Sequence, residues 1–216
     1  PYFNTFGSTE TGNPPASANF VAIGDAPEVL SKKQNDFCEI RLVDTDDNDV
    51  PVGEPGELAI RGPTLFSGYW GNDEANKEAF RNGWFHMGDV FRRTPEGLLD
   101  FVDRVKYMIK SGGENIYPAE IESVLYQFPD VADVAVFGVP HEEWGEQVKA
   151  VIEMGDKAQT GDSLASDILA YCQKNLAKYK CPKSVDFIES MPRDPNGKLM
   201  KRKLRDPYWE GRERMI

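Results

Sequence analysis

Cysteine is scarce in this chain. There are three, Cys38, Cys172 and Cys181, an odd number with no Cys-x-x-Cys pair. That argues against a disulfide framework and a thiolate zinc site, and it points to a reducing compartment. Histidine is scarcer: only His86 and His141 occur, and neither has a Ser or Cys partner apparent in the sequence, so neither is assigned to nucleophilic catalysis. Positive charge is in deficit. The formal net charge of −11 argues against a nucleic-acid-binding surface and against docking on an anionic membrane. No apolar run is long enough to span a bilayer. No secretory leader pattern opens the chain. No Walker-type phosphate loop is present either, because Gly197-Lys198 is followed by Leu199 where Ser or Thr would be needed. The chain opens at Pro1 in what looks like the middle of a motif, and it reads as a piece of a longer protein.

What is present is enough apolar residue for a core in 216 positions, which fit one large domain or two small ones. There is no internal repeat and no low-complexity segment. Cys38 to Val43 and Gly56 to Arg61 alternate as strands do, around a turn at Thr45 to Asn48. Asn72 or Asp73 suits the cap of a short helix ending near Phe80. Gly83 to Val90 and Leu98 to Val102 read as strands on either side of a turn at Thr94 to Gly97. Val131 to Val139 is a β-rich run that Pro140 should end, and Gln147 to Met154 is another. A polar loop is expected at Asp156 to Asp162. A helix follows from Ser163 to Leu176, with Leu164, Ile168 and Cys172 on one face, and Pro182 blocks its continuation. Ser184 to Ile188 is a last strand. Lys198 to Arg205 is a basic tail.

Three stretches carry chemistry. The first is Asn4 to Gly12, a glycine-flanked run of hydroxyls ending in Glu10. By composition alone it is a polar loop, although its hydroxyl and backbone donors suit a phosphate and Glu10 suits a hard cation. The second runs from Asp103 to Glu122. A charged Asp-Arg-Val-Lys step precedes a short edge strand at Tyr107 to Lys110. Ser111-Gly112-Gly113-Glu114-Asn115 then makes a turn in which positive φ is available. A helix opens at Pro118, with Glu120 and Glu122 near the positive end of its dipole and Ile121, Val124, Leu125 and Phe128 as its apolar stripe. The third is Pro192-Arg193-Asp194-Pro195-Asn196-Gly197-Lys198, a loop with two prolines and an Asn-Gly step.

In this order the three stretches resemble those of the adenylate-forming superfamily, which includes acyl-CoA synthetases, firefly luciferase and peptide-synthetase adenylation domains. Phe6-Gly7-Ser8-Thr9-Glu10 is similar to its aromatic-Gly-x-Thr-Glu motif. Gly56 to Gly62 and Gly68-Tyr69-Trp70 resemble its next block. Gly83-Trp84-Phe85-His86-Met87-Gly88-Asp89 resembles Gly-Trp-x-x-Thr-Gly-Asp, with Met87 where Thr is usual. Asp103 to Glu122 resembles the hinge and thioester loop, and Pro192 to Lys198 the C-terminal lysine loop. Five motifs in one order are a specific signal where any one is weak, and their wording is nearest that of the acyl-CoA synthetases.

The resemblance implies a mixed α+β fold: residues 1–102 as the β-rich end of a large N-terminal adenylation domain, a hinge at 103–106 with Lys106 as its pivot, and a small α+β lid of two helices on a sheet at 107–216. It implies that Phe6 stacks on the adenine, that Thr9 meets the α-phosphate, that Gly7 and Arg104 bind the nucleotide, that Glu10 holds Mg²⁺, and that Asp89 accepts from both ribose hydroxyls. Lys198 would be the adenylating lysine. Lys110, Ser111, Gly112, Gly113 and Glu114 would line the thioester step. The implied substrates are ATP, CoA and a fatty or aryl carboxylic acid, in the cytoplasm, with no nucleic acid and no transmembrane segment. A homo-oligomer and a lysine acetyltransferase acting on Lys198 stay open. The lysine's role has a physical warrant. Attack of a carboxylate on a phosphate brings two anions together, and a mobile cation over the developing charge lowers that barrier. The family's phosphate loop would lie upstream of Phe6, so the activity expected is that of a longer parent. Two other readings stay open: adenylation with transfer to a carrier protein's phosphopantetheine or to no thiol, and a non-catalytic piece that binds a nucleotide or a partner.

Overall fold

The computed structural model describes residues 2–26, 30–155 and 160–212. The chain divides into two compact units, residues 1–105 and 106–216.

The first unit is built on strands. β1 (Thr5–Phe6), β2 (Ala16–Ser17) and β3 (Lys33–Gln34) form a small antiparallel sheet. The Pro-, Ala- and Ser-rich stretch 13–19 therefore supplies a strand, too short for alternation to reveal it. A second sheet takes β4 (Glu39–Val43), β5 (Pro55–Arg61), β6 (Phe80–Arg81), β7 (Trp84–Arg93) and β8 (Leu99–Arg104). α1 (Asp73–Ala79) precedes β6, capped by the Asn72 carboxamide on the Ala75 amide. Leu42, Leu58, Ile60, Phe91 and Leu99 are buried together and carry the core. Full burial of each is worth about 1.5–3 kcal/mol.

Two features of β7 aim the site. Its pairing with β5 steps from Ala59 opposite His86 to Glu57 opposite Val90, so Met87, Gly88 and Asp89 bulge against Leu58 alone. Gly88 sits at φ +72°, which a side chain at that position would resist. On the other side Asp89 pairs directly with Arg104 of β8.

The second unit is a five-stranded sheet covered on both faces. β9 (Ile109–Ser111) and β10 (Glu114–Ile116) form a hairpin, and β11 (Val131–His141) pairs antiparallel with β12 (Gly145–Met154). β13 (Ser184–Ile188) runs parallel to β12. Successive residues of β11 face opposite ways. Val134 and Val136 join Ile121 and Leu125 of α2 (Pro118–Leu125), and Ile168 and Cys172 of α3 (Asp162–Asn175). Ala135, Phe137 and Val139 face Met191, Leu199 and Leu204 instead. Val124 stays partly exposed, outside the α2 core stripe.

Several expectations change here. Pro140 does not end its strand, because β11 is the edge of the sheet, where a missing N–H breaks no ladder bond. The edge strand expected from Tyr107 begins only at Ile109, after a 3-10 turn at Val105–Tyr107, and it lies inside the sheet between β10 and β12. The basic tail folds as α4 (Lys201–Arg205) and a 3-10 turn at Asp206–Trp209. Leu204 seals the second face of the sheet, and the Trp209 indole donates to the Gly138 carbonyl at 3.0 Å. Among its described residues the second unit thus has three α-helices where two were expected. Most of the loop expected at Asp156 to Asp162 lies outside the described residues, and Asp162 already opens α3.

Candidate active site

In the first unit, Phe6, Gly7, Asp89 and Arg104 line one cleft of about 740 Å³. They come from β1 and its following turn, from the β7 bulge and from the end of β8. Phe6 is held edge-on against the buried Phe91, ring centroids 4.6 Å apart. Asp89 is 6% exposed, and its Oδ1 accepts from the Arg104 Nε at 2.8 Å. Arg104 is itself fixed by a backbone bond to Asp103 Oδ1 at 2.7 Å. The Glu57 carboxylate sets the bulge: its Oε1 accepts the Gly88 amide at 3.1 Å, one residue before Asp89. Glu57 Oε2 accepts from Arg81 Nη2 at 3.0 Å and lies 3.1 Å from His86 Nδ1. Burial alone would push the Glu57 carboxyl up. His86 and Arg81 outweigh it and hold the group below its ordinary value.

Thr9 and Glu10 lie beside the cleft on a 3-10 turn, Thr9–Thr11, with Thr11 buried beneath it. The Glu10 carbonyl accepts the Phe66 amide at 2.9 Å. The Ser8 hydroxyl, with Glu10's own amide and the Tyr69 hydroxyl at 3.1 Å, holds its carboxyl below the usual value. An ionised, partly exposed oxygen ligand of this kind fits Mg²⁺, which binds through one or two carboxylates together with phosphate oxygens and water. Among the described residues no group of three acidic, His or Cys ligands gathers to hold a metal by protein alone.

Ser31, Lys32 and Asp100, which lie in none of the sequence motifs, line the same cleft. Lys32 is buried, donates to the Leu30 carbonyl at 3.0 Å, and has its ammonium pulled down by burial against the opposing charge of Asp100. Ser31 donates to Asp100. A backbone bridge between Lys32 and Leu99 brings them there, and no local pattern signals it. Tyr69 and Glu57 stood inside recognised motif blocks. Their partners Glu10 and Gly88 could not be read from those blocks.

In the second unit, Lys106 is exposed on the 3-10 turn at Val105–Tyr107, its ammonium 5.1 Å from the Tyr107 ring centroid. Gly112 and Gly113 make the two-residue turn of the β9–β10 hairpin at φ +60° and +86°. Two consecutive positive φ values define a type I′ turn, which favours glycine on backbone grounds alone. An added Cβ would meet open space at Gly113 and only the Trp144 ring, at 3.9 Å, at Gly112. Lys110 is tied down by its amide to the buried Glu146 at 3.3 Å, and Ser111 pairs with Gly145. Lys198 is exposed at the end of a tight turn whose amides at Asn196 and Lys198 both bond Asp194 Oδ1 at 2.9 Å.

Residues 1–70 match the AMP-binding enzyme family, and residues 120–198 match the AMP-binding enzyme C-terminal domain. A feruloyl-CoA synthase of Amycolatopsis is 46% identical over 170 residues, 78% of this chain and 34% of that protein. A long-chain-fatty-acid–CoA ligase of Escherichia coli O6:H1 is 45% identical over 168 residues, 78% of this chain and 29% of that protein. The chain therefore spans about a third of the length of the curated relatives it matches. ATP-bound MatB of Rhodopseudomonas palustris superposes with a TM-score of 0.83 at 33% identity, covering 95% of this chain and 40% of that one. No helix among the described residues is long and apolar enough to cross a membrane. With its motifs in order, both parts of the family matched and the mixed α/β fold of its solved relatives, this chain belongs to the AMP-binding, adenylate-forming enzyme family.

Proposed function

We propose that the full-length protein is an AMP-forming acid–thiol ligase that activates a fatty or aryl carboxylic acid with ATP and passes the acyl group to CoA. The observation that carries this reading is the convergence of Phe6, Gly7, Asp89 and Arg104 on one cleft from three distant parts of the first unit. A flat aromatic for a base, a carboxylate for a vicinal diol and a guanidinium together make a nucleotide-shaped set of contacts. The names of the relatives, CoA ligases for aryl and for fatty acids, support the substrate class and the acceptor.

In the first step a carboxylate oxygen attacks the α-phosphorus of ATP, the bond to the β-phosphate oxygen breaks, and pyrophosphate leaves. Thr9 meets the α-phosphate. Asp89 fixes the ribose, with Arg104 orienting its carboxylate. Glu10 would hold Mg²⁺, which when bound offsets the phosphate charge. Lys198, carried by the second unit, supplies a cation to the phosphoryl oxygens as charge develops. In the second step the thiol sulfur attacks the acyl carbonyl and AMP leaves, with the Gly112–Gly113 hairpin turn beside the path of the thiol arm. Rotation of the second unit about Lys106 exchanges the two loops between steps. The exposed Lys198 is also suited to acetylation, which would remove the charge that the first step uses. Mass spectrometry of native protein that always finds it unmodified would count against that regulation.

The test is the full-length protein with ATP, Mg²⁺, a panel of fatty and aryl acids, and either CoA or a holo carrier protein. Acid-dependent pyrophosphate release with an acyl-CoA product is expected. Transfer to the carrier protein alone, or pyrophosphate release from none of the acids, would overturn the reading.

A further inference from the structure

The turn that carries Lys198 closes on itself. The Gly197 amide bonds the Asp194 carbonyl at 2.9 Å, the Asp194 amide bonds the Lys198 carbonyl at 2.9 Å, and Asp194 Oδ1 takes two further amides. These bonds fix the shape of the turn and leave its direction undetermined. Its neck is tied where Arg193 bridges Leu199 and the Met200 amide bonds the Pro192 carbonyl at 2.7 Å, bonds that lie at the base of the turn and not at its tip.

One side chain ties the tip to the sheet. Arg193 Nη1 donates to the Gly197 carbonyl at 2.7 Å, next to Lys198, while its Nη2 pairs with Asp133 on β11. The anchor is firm. Asp133 is 7% exposed, and its other oxygen accepts the Val134 amide at 2.8 Å and the Tyr126 hydroxyl at 2.6 Å. Tyr126 is the C-cap of α2. Burial and the neighbouring Asp133 push its phenol up to about 12, so it remains a donor at any working pH. A line of contact therefore runs from α2 through β11 and Arg193 to the turn tip. The planar fork of Arg193 reaches both acceptors at once, which a lysine's single ammonium does not do in the same geometry.

We propose that Arg193 is a positioning residue: by joining Asp133 to the Gly197 carbonyl it fixes where Lys198 is presented during adenylation, and it takes no part in thioester formation. The proposal rests on the reading of Lys198 as the adenylating lysine.

The test uses the full-length protein, an acid that supports turnover, and two assays: pyrophosphate release for adenylation, and thioester formation from supplied acyl-adenylate. Arg193→Lys is expected to slow adenylation about 10- to 100-fold, the range that misplacement of a catalytic group by about 1 Å produces. Thioester formation should stay within about twofold. Tyr126→Phe should slow adenylation by a smaller factor, about two- to tenfold, and it keeps the test open if Arg193→Lys does not fold. Placed in a Lys198→Ala background, Arg193→Lys should add no further loss, because no ammonium is left to position. An unchanged adenylation rate, equal loss in both half-reactions, or a full additional loss in the Lys198→Ala background would each overturn the proposal. If Lys198→Ala itself leaves adenylation intact, the assignment of the lysine fails. If Lys198→Ala abolishes adenylation and Arg193→Lys spares it, the positioning role alone fails.

Discussion

Asp89→Asn is the substitution that tests the cleft most directly. The side chain keeps its size and one acceptor oxygen, but the second oxygen becomes an amide nitrogen that cannot accept from a ribose hydroxyl. Asp89 is nearly buried, and its ion pair with the Arg104 Nε at 2.8 Å orients the carboxylate. A hydrogen bond to a charged group is worth about 1.5–3 kcal/mol, so one lost bond should weaken nucleotide binding about 10- to 150-fold. The assay is a double-mutant cycle between protein and ligand, with ATP and 2′-deoxy-ATP titrated by calorimetry into wild type and variant. Wild type should lose much of the same factor when the 2′-hydroxyl is removed. The variant should lose little more, because the acceptor is already gone. If Asp89→Asn binds ATP as tightly as wild type, or if the deoxy ligand costs both proteins equally, Asp89 does not hold the ribose.

Three further outcomes are expected. Lys198→Ala should lower adenylation by about 10²–10³, the cost of one preorganised donor to a developing oxyanion, while supplied acyl-adenylate still yields thioester; equal loss in both assays would refute the division of labour. Gly112→Asn should spare folding and adenylation, since asparagine tolerates a φ of +60°, yet block thioester formation by filling the space beside Trp144; normal acyl-CoA synthesis by this variant would remove the turn from the thiol path. Glu57→Gln should destabilise the protein by about 1–3 kcal/mol and raise KM for ATP, through the loosened Gly88 amide, more than KM for the acid. The pH dependence has a definite sign. The Glu57 carboxyl is depressed in the folded state, so its stabilisation is present above its ordinary value of 4.5 and is lost as pH falls below it. Thermal melts of wild type and Glu57→Gln should therefore keep a constant gap down to about pH 5 and start to converge only as pH falls below 4.5, and a gap that widens on acidification would contradict the assignment.

Much of this architecture was legible in the sequence where alternation ran long enough. The central strands β4, β5, β7 and β8 fall within a few residues of where apolar periodicity puts them, α2 begins at the proline expected to open it, and α3 begins one residue before the expected Ser163. What could not be read depended on distant partners. Pro140 is tolerated only because β11 has no neighbour on one side, a property of the sheet and not of the local sequence. The run after Lys198 has the composition of a solvated tail, and it folds because Leu199 and Leu204 find the second face of the sheet in the second unit. Lys32 and Asp100 reach the cleft through a bridge between residues that lie 67 positions apart, Lys32 and Leu99. The motif residues were easier because glycines, an aspartate and a lysine in fixed order carry meaning without knowledge of the fold.

The excess of acid can now be given a structural use beyond solubility. Three of the irregular segments assigned to the chemistry are held by a carboxylate that accepts a backbone amide or grips the residue that does the holding. Glu57 takes the Gly88 amide before Asp89, Glu146 takes the Lys110 amide before the glycine turn, and Asp133 anchors the arginine that grips Gly197. Glu122 adds a fourth case, accepting the Val136 amide at 2.7 Å and pairing with Lys201 of α4 at 2.5 Å. A carboxylate suits this task because it has two acceptor oxygens and no donor, so it can bond an irregular backbone N–H and a cation at once. Irregular backbone is what bulges and tight turns create, since their amides leave the ladder. The same arithmetic ties function to cost. Replacing any of these acids by an apolar residue would strand a buried amide or cation, so such changes should weaken folding and misdirect the adjoining loop together. Their amide isosteres, which keep one acceptor oxygen for the backbone amide but turn the other into a donor and remove the charge, weaken the grip on the cation while leaving the amide a partner, and so are the substitutions able to separate the two effects.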